Sequence, residues 1–151
     1  MLRTVFALVA LTLVLPATAL AGLTRAEASL LHEMNRVRAA HGLRPLVIDP
    51  HLDRAADAHT REMLRSNAFA HGAFASRMLQ FDVVARTAGE DLAWGTGTQG
   101  SARALVAAWL ASPPHRANLL APSFRRAGIG ELVGRFQGFA GAHVVTADFA
   151  G

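Results

Sequence analysis

A chain of 151 residues has room for one ordinary domain with a sizeable core. Its charge of +4 comes from fifteen arginines against eleven carboxylates, with no lysine and no basic run, which is weak ground for a nucleic acid or membrane partner. The absence of cysteine excludes a disulfide scaffold, a thiolate zinc site and a cysteine nucleophile, and 52% hydrophobic residues exclude disorder.

The first 21 residues read as an export signal. Met1 and Arg3 open it, Val5 to Leu15 is apolar, Pro16 interrupts, and Ala19-Leu20-Ala21 offers the small residues of a cleavage site before Gly22. The apolar stretch is shorter than the ~20 residues of a membrane span. The expected product is residues 22–151, secreted or periplasmic, monomeric and not integral to the membrane.

Thr24-Arg25-Ala26-Glu27 forms a capping box, and Leu30, Met34 and Val37 follow at helical spacing until Gly42 supplies a stop. Leu43 to Ile48 is a short apolar link, extended at a sheet edge because of Pro45. Asp49-Pro50 opens a second helix with Leu52, Ala56, His59 and Met63 inward, and Asp53, Asp57, Arg61 and Arg65 in solvated pairs outside. A short helix is expected around Ala75 to Phe81, a strand at Glu90 to Trp94, and a turn from Gly95 to Gly100. Ser101 starts a third long helix that Pro113-Pro114 ends, with another turn or two over His115 to Leu120. Ala127 to Val133 and His143 to Phe149 read as antiparallel strands joined through Gly134 to Gly141. Early helices and late strands predict one α+β domain.

Three motif matches fail on their own chemistry. His32-Glu33 begins a zinc-protease helix, but Arg36 occupies the second histidine's place. Gly95 to Gly100 spells a dinucleotide fingerprint, yet no acid lies between Asp91 and Glu131 to take a ribose. Ser112 and His115 lack the elbow that exposes a nucleophile, so Ser112 reads as a packing or capping residue. Among the other histidines, His59 falls on an apolar stripe and reads as a hydrogen-bonded core residue. His41 and His51 look solvated, and His143 begins a strand facing either way. His71 and His115 differ, because each lies in an irregular stretch beside glycine or proline. Glu90 follows Gly89 in an apolar setting.

Taken in order, these segments resemble the CAP superfamily of cysteine-rich secretory, antigen 5 and pathogenesis-related proteins, in its short bacterial form. The resemblance runs from about Leu30 to Phe149. It is carried by Asn35-Arg36 with Gly42-Leu43 and Pro45-Leu46, by His71, and by Gly89-Glu90-Asp91. Trp109-Leu110-Ala111-Ser112-Pro113-Pro114-His115-Arg116-Ala117-Asn118 and Gly128-Ile129-Gly130 complete it. It implies a three-layer α-β-α sandwich with a central antiparallel sheet, and a cleft holding His71, Glu90 and His115. Asp91, Ser112 and Arg116 are expected beside that cleft, with Arg116 able to meet an anion or the Glu90/Asp91 pair. In metal-binding members two histidines ligate zinc or another divalent metal, here His71 and His115. Asp91 departs from the family's usual Asn, and no second site acid follows Trp109. Two functions stay open: an extracellular module binding a lipid, another small apolar ligand or a partner, and a metal-dependent hydrolase with Glu90 as base.

Overall fold

Helix α1 (Arg25–Ala40) begins as its capping box requires. The Thr24 N–H donates to the Glu27 carboxylate at 2.7 Å, and the Glu27 N–H donates to the Thr24 hydroxyl at 3.2 Å. It ends at Gly42, where Gly42 N–H bonds the Ala39 carbonyl and Leu43 N–H the Arg38 carbonyl in a Schellman arrangement. The structure, a computed structural model, describes residues 22–151. The expected export segment, 1–21, lies outside the described residues.

The predicted link forms β1 (Val47–Ile48), followed by α2 (Pro50–Ser66), α3 (Phe74–Gln80) and β2 (Ala88–Thr96). Asp49 caps α2, accepting from the His51 and Leu52 N–H groups. After β2, a single 3-10 turn over Gly97–Gly100 leads into α4 (Ala102–Ala111) and α5 (Pro113–Leu119). The two prolines thus open a helix as well as close one, since their missing N–H groups fall in its unbonded first turn. A hairpin of β3 (Arg126–Phe136) and β4 (Phe139–Ala150) closes the chain.

The strands run β1-β3-β4-β2 across one sheet. The β2–β4 and β3–β4 pairs are antiparallel, as expected, but β1 pairs with β3 in parallel. Helices cover both faces. On one side Leu30, Met34, Val37, Leu105, Trp109 and Leu119 from α1, α4 and α5 meet Ile129, Val145 and Phe149. The other side is α2 and α3, and here β3 carries Gly128 and Gly130 directly beneath α2. A Cβ on Gly130 would stand 2.6 Å from the Ala56 carbonyl oxygen, so the helix packs backbone to backbone on the strand. Asp53 belongs to this contact and not to the outer face: its carboxylate accepts from the Ile129 N–H at 3.1 Å.

As a terminal strand, β2 would leave backbone groups open to other chains. Trp109 Nε1–H donates to the Leu92 carbonyl at 3.0 Å, and Asn118 Nδ2–H donates to the Glu90 carbonyl at 3.2 Å. Side chains of α4 and α5 therefore close this edge and tie the helical layer to the strand that carries Glu90.

Candidate functional site

Strand alternation decides the first feature of the site. Glu90 and Asp91 are neighbours in an unbroken antiparallel register, so their side chains leave β2 on opposite faces. Glu90 turns towards the α2–α3 layer. Asp91 turns towards α5, where its carboxylate accepts from Asn118 Nδ2–H at 2.8 Å. The expected Glu90/Asp91 acidic pair is therefore divided by the sheet, and Asp91 is a buried packing residue.

Glu90 sits at the centre of a buried network, its side chain only 2% exposed. His71 Nδ1 approaches one carboxylate oxygen at 2.7 Å, and the Arg77 guanidinium bonds the other. The same guanidinium donates to the His71 backbone carbonyl at 3.3 Å. Arg77 thus grips both the acid and the loop that presents the histidine. His59, from α2, is the hydrogen-bonded core histidine its stripe predicted. Its Nε2 bonds the Ala70 carbonyl at 3.0 Å and lies 3.8 Å from Glu90. Burial, then the positive charge of Arg77, holds the His59 pKa below its ordinary value.

Beneath Glu90 lies a second acid. Asp148 is its cross-strand partner on β4, fully buried, and neither of its oxygens meets a hydrogen-bond donor among the described residues. Burial, and then the Glu90 charge, pushes its carboxyl well above the usual range. Sequence reading overlooked Asp148, Arg77 and Asn118 as site residues. Alternation along the final strand could have flagged Asp148 as inward-facing; the other two are fixed by long-range packing.

His115 stands on α5, half-buried and without a hydrogen bond among the described residues. Its pKa is lowered by burial first and then by His71, whose charge reaches it across the site. Ser112 sits at the α4–α5 junction and makes no side-chain cap. Arg116 points away to the exposed side of α5, along a groove with Leu110, Pro113, Leu120 and Pro122. The arginine that meets Glu90 is Arg77, so the expected role of Arg116 there is corrected.

Elsewhere, His41 and His51 are exposed, as expected, and His143 pairs with Glu131 at 2.6 Å on the α1–α4 side. Among the described residues no three His, Asp or Glu side chains are grouped as a metal-holding set. The donor set for a metal is two imidazoles, one fewer than catalytic zinc usually takes from a protein. One feature does suit an ion: Glu90 holds His71 by Nδ1, which leaves Nε2 as the free nitrogen of an oriented ring.

Comparison with known proteins bears on the family and the fold. Residues 31–149 match the family model CAP, described as the cysteine-rich secretory protein family. Protein YkwD of Bacillus subtilis is 37% identical over 101 residues, covering 64% of this chain and 38% of YkwD. An extracellular protein containing a SCP domain from Bacillus anthracis superposes with a TM-score of 0.69 at 25% identity, over 83% of this chain and 40% of that one. An outer surface protein of Borrelia burgdorferi shares the fold at 22% identity and a TM-score of 0.67, over 80% and 87% of the two chains. The chain thus spans about two fifths of the two Bacillus relatives.

Proposed function

This chain belongs to the CAP family of cysteine-rich secretory proteins, and we propose that it works outside the cytoplasm as a binding module that holds a ligand without transforming it. The observation that carries this reading is the state of Glu90. Its carboxylate is buried and both oxygens are taken, by His71 and by Arg77. A general base must reach the proton it removes. Here the acid is committed to holding the His71 loop in place. The extracellular and outer-surface descriptions of the Bacillus anthracis and Borrelia proteins support the location.

The ligand best suited to the chain is a small apolar molecule with an anionic head, such as a fatty acid. The α4–α5 groove has a volume of about 510 Å³, with Leu110, Pro113, Leu120 and Pro122 as an apolar lining and Arg116 as its cation. Organic extraction of the purified protein followed by mass spectrometry tests this directly. An enriched acyl lipid is expected. Arg116→Glu should weaken binding of a fluorescent fatty acid about tenfold, as loss of a charge-assisted bond implies. Neither enriched lipid nor fatty-acid binding in the unmodified protein would reject the ligand.

The oriented ring of His71 favours one second reading, a divalent metal held by His71 and His115. Zinc there would supply Lewis-acid activation of a water. The chain's own contribution would be to hold His71 by Nδ1 and keep Nε2 available. Calorimetric titration with zinc should then show heat that His71→Ala and His115→Ala each abolish. Equal heats from all three proteins would remove the metal.

A further inference from the structure

We propose that the β3–β4 hairpin tip, with the turn after α2, is a docking surface for an anionic lipid membrane. This surface shares no residue with the α4–α5 groove and borders the Glu90 network at Ala70, whose carbonyl bonds His59; it does not rest on either reading above.

An aromatic cluster builds it. Phe136 is fully buried, and Phe69 and Trp94 pack edge-on to it at 6.3 and 5.7 Å. Phe139 leans on Trp94 at 5.7 Å. The outer members stay in solvent: Phe139 is 56% exposed and Phe69 44% exposed. Large apolar side chains gathered at one place on a surface mark a contact with something apolar.

The platform is held in advance. Asn67, in the left-handed conformation at the end of α2, accepts from the Gln137 N–H through Oδ1 and from Gln137 Nε2–H through its carbonyl, both at 2.6 Å. The tip therefore needs little ordering on contact, which lowers the entropic cost of docking.

Charge selects the occupant. The surface carries two arginines, Arg65 and Arg135, whereas His143 is paired with Glu131 on the α1–α4 side of the sheet. Arg65 is offset by Glu62 at 2.6 Å, whereas Arg135 bonds the Gly138 carbonyl at 3.2 Å and meets no acid among the described residues. Phe beside Arg at a hairpin tip matches the depth profile of a membrane surface, with rings below the headgroups and the guanidinium among anionic phosphates. A second copy of the chain would bring Arg135 towards another Arg135, which disfavours self-pairing. The fifteen arginines form no basic run in sequence; folding places Arg135 beside the aromatic tip.

Tryptophan makes the test local. The chain has two, and Trp109 is 1% exposed, so Trp94 reports on the tip. The full chain is mixed with vesicles carrying brominated acyl chains, made of phosphatidylcholine alone or with phosphatidylglycerol. Because quenching is read at Trp94, the apolar first 21 residues do not supply the signal. Quenching is expected with phosphatidylglycerol, weakened by salt. Phe139→Ser should reduce partitioning about tenfold, and Arg135→Gln about fivefold. Both side chains are exposed, so both variants should fold, which thermal unfolding checks. Trp94 emission indifferent to both vesicle types overturns the proposal. So does equal quenching of Phe139→Ser and the unmodified chain. Self-association abolished by Phe139→Ser, without vesicle quenching, would assign the patch to a second copy instead.

Discussion

Asp91→Asn is expected to stabilise the protein at pH 8 and to leave it nearly unchanged at pH 4. Asp91 is fully buried on the α5 side of the sheet. One oxygen accepts from Asn118, and the other has no partner among the described residues. Burial first, with a further contribution from the Glu90 charge, pushes its carboxyl up to about 7, against the opposing Asn118 bond. An unfolded aspartate titrates near 3.9. The folded chain therefore binds more protons than the unfolded chain between roughly pH 4 and 7. Stability from this group is fully present below that window and is lost as pH rises through it. The shift corresponds to about 4 kcal/mol across the window. Asn cannot ionise, so the variant should lose this decline and keep the slopes of the other shifted groups, of the same sign from Asp148 and Asp53 and of the opposite sign from His59 and His115. Urea unfolding of both proteins between pH 4 and 8 measures the difference. Parallel stability curves would show that Asp91 is not the titrating group. The family resemblance marks Asn as the usual residue here, and the buried position explains the advantage of a neutral side chain.

Arg38→Met should cost about 3–5 kcal/mol of stability. Arg38 lies in the last turn of α1 and is fully buried, with no carboxylate bonded to it among the described residues. Its guanidinium instead serves four backbone carbonyls. Nε bonds Arg44, Nη1 bonds Leu119 and Ala121, and Nη2 bonds Phe124, at 2.8 to 3.2 Å. One side chain thus joins α1, the link to β1, the end of α5 and the loop before β3. Burial, and then the charge of Arg125, keeps its pKa below the ordinary value. Methionine replaces the apolar stem but leaves the carbonyls without donors inside the protein. Arg38→Lys should recover only part of the loss, because one ammonium cannot reproduce the planar fork. Urea unfolding at pH 7 distinguishes the outcomes, and a loss under about 1 kcal/mol would place Arg38 among ordinary surface substitutions.

Arg38 and Arg77 also show why the candidate site was only partly legible. As letters they are two of fifteen arginines. Arg38 sits 81 residues from Leu119, and Arg77 sits 13 from Glu90, so no local pattern announces either bond. His71 and Glu90 entered through the family resemblance, and the structure brings them into direct contact. Grouping Asp91 with Glu90 overlooked a rule that the sequence does carry, since adjacent residues of a strand face opposite ways. Arg116 was assigned by adjacency to His115, yet adjacent residues on a helix do not share a face.

The sequence by itself determined what depends on near neighbours. The Thr24–Glu27 box, the Asp49-Pro50 start, the Gly42 stop and the Ser101 cap all formed where their side chains could reach backbone within about four residues. The α+β class followed from the order of those elements, and the three layers from the family resemblance. The tertiary structure alone decided the parallel β1–β3 pairing, the Arg77 grip on Glu90, the acid beneath it at Asp148 and the aromatic tip. Each joins groups from separate elements, and their burial and charge environments exist only after the sheet has closed against its helices.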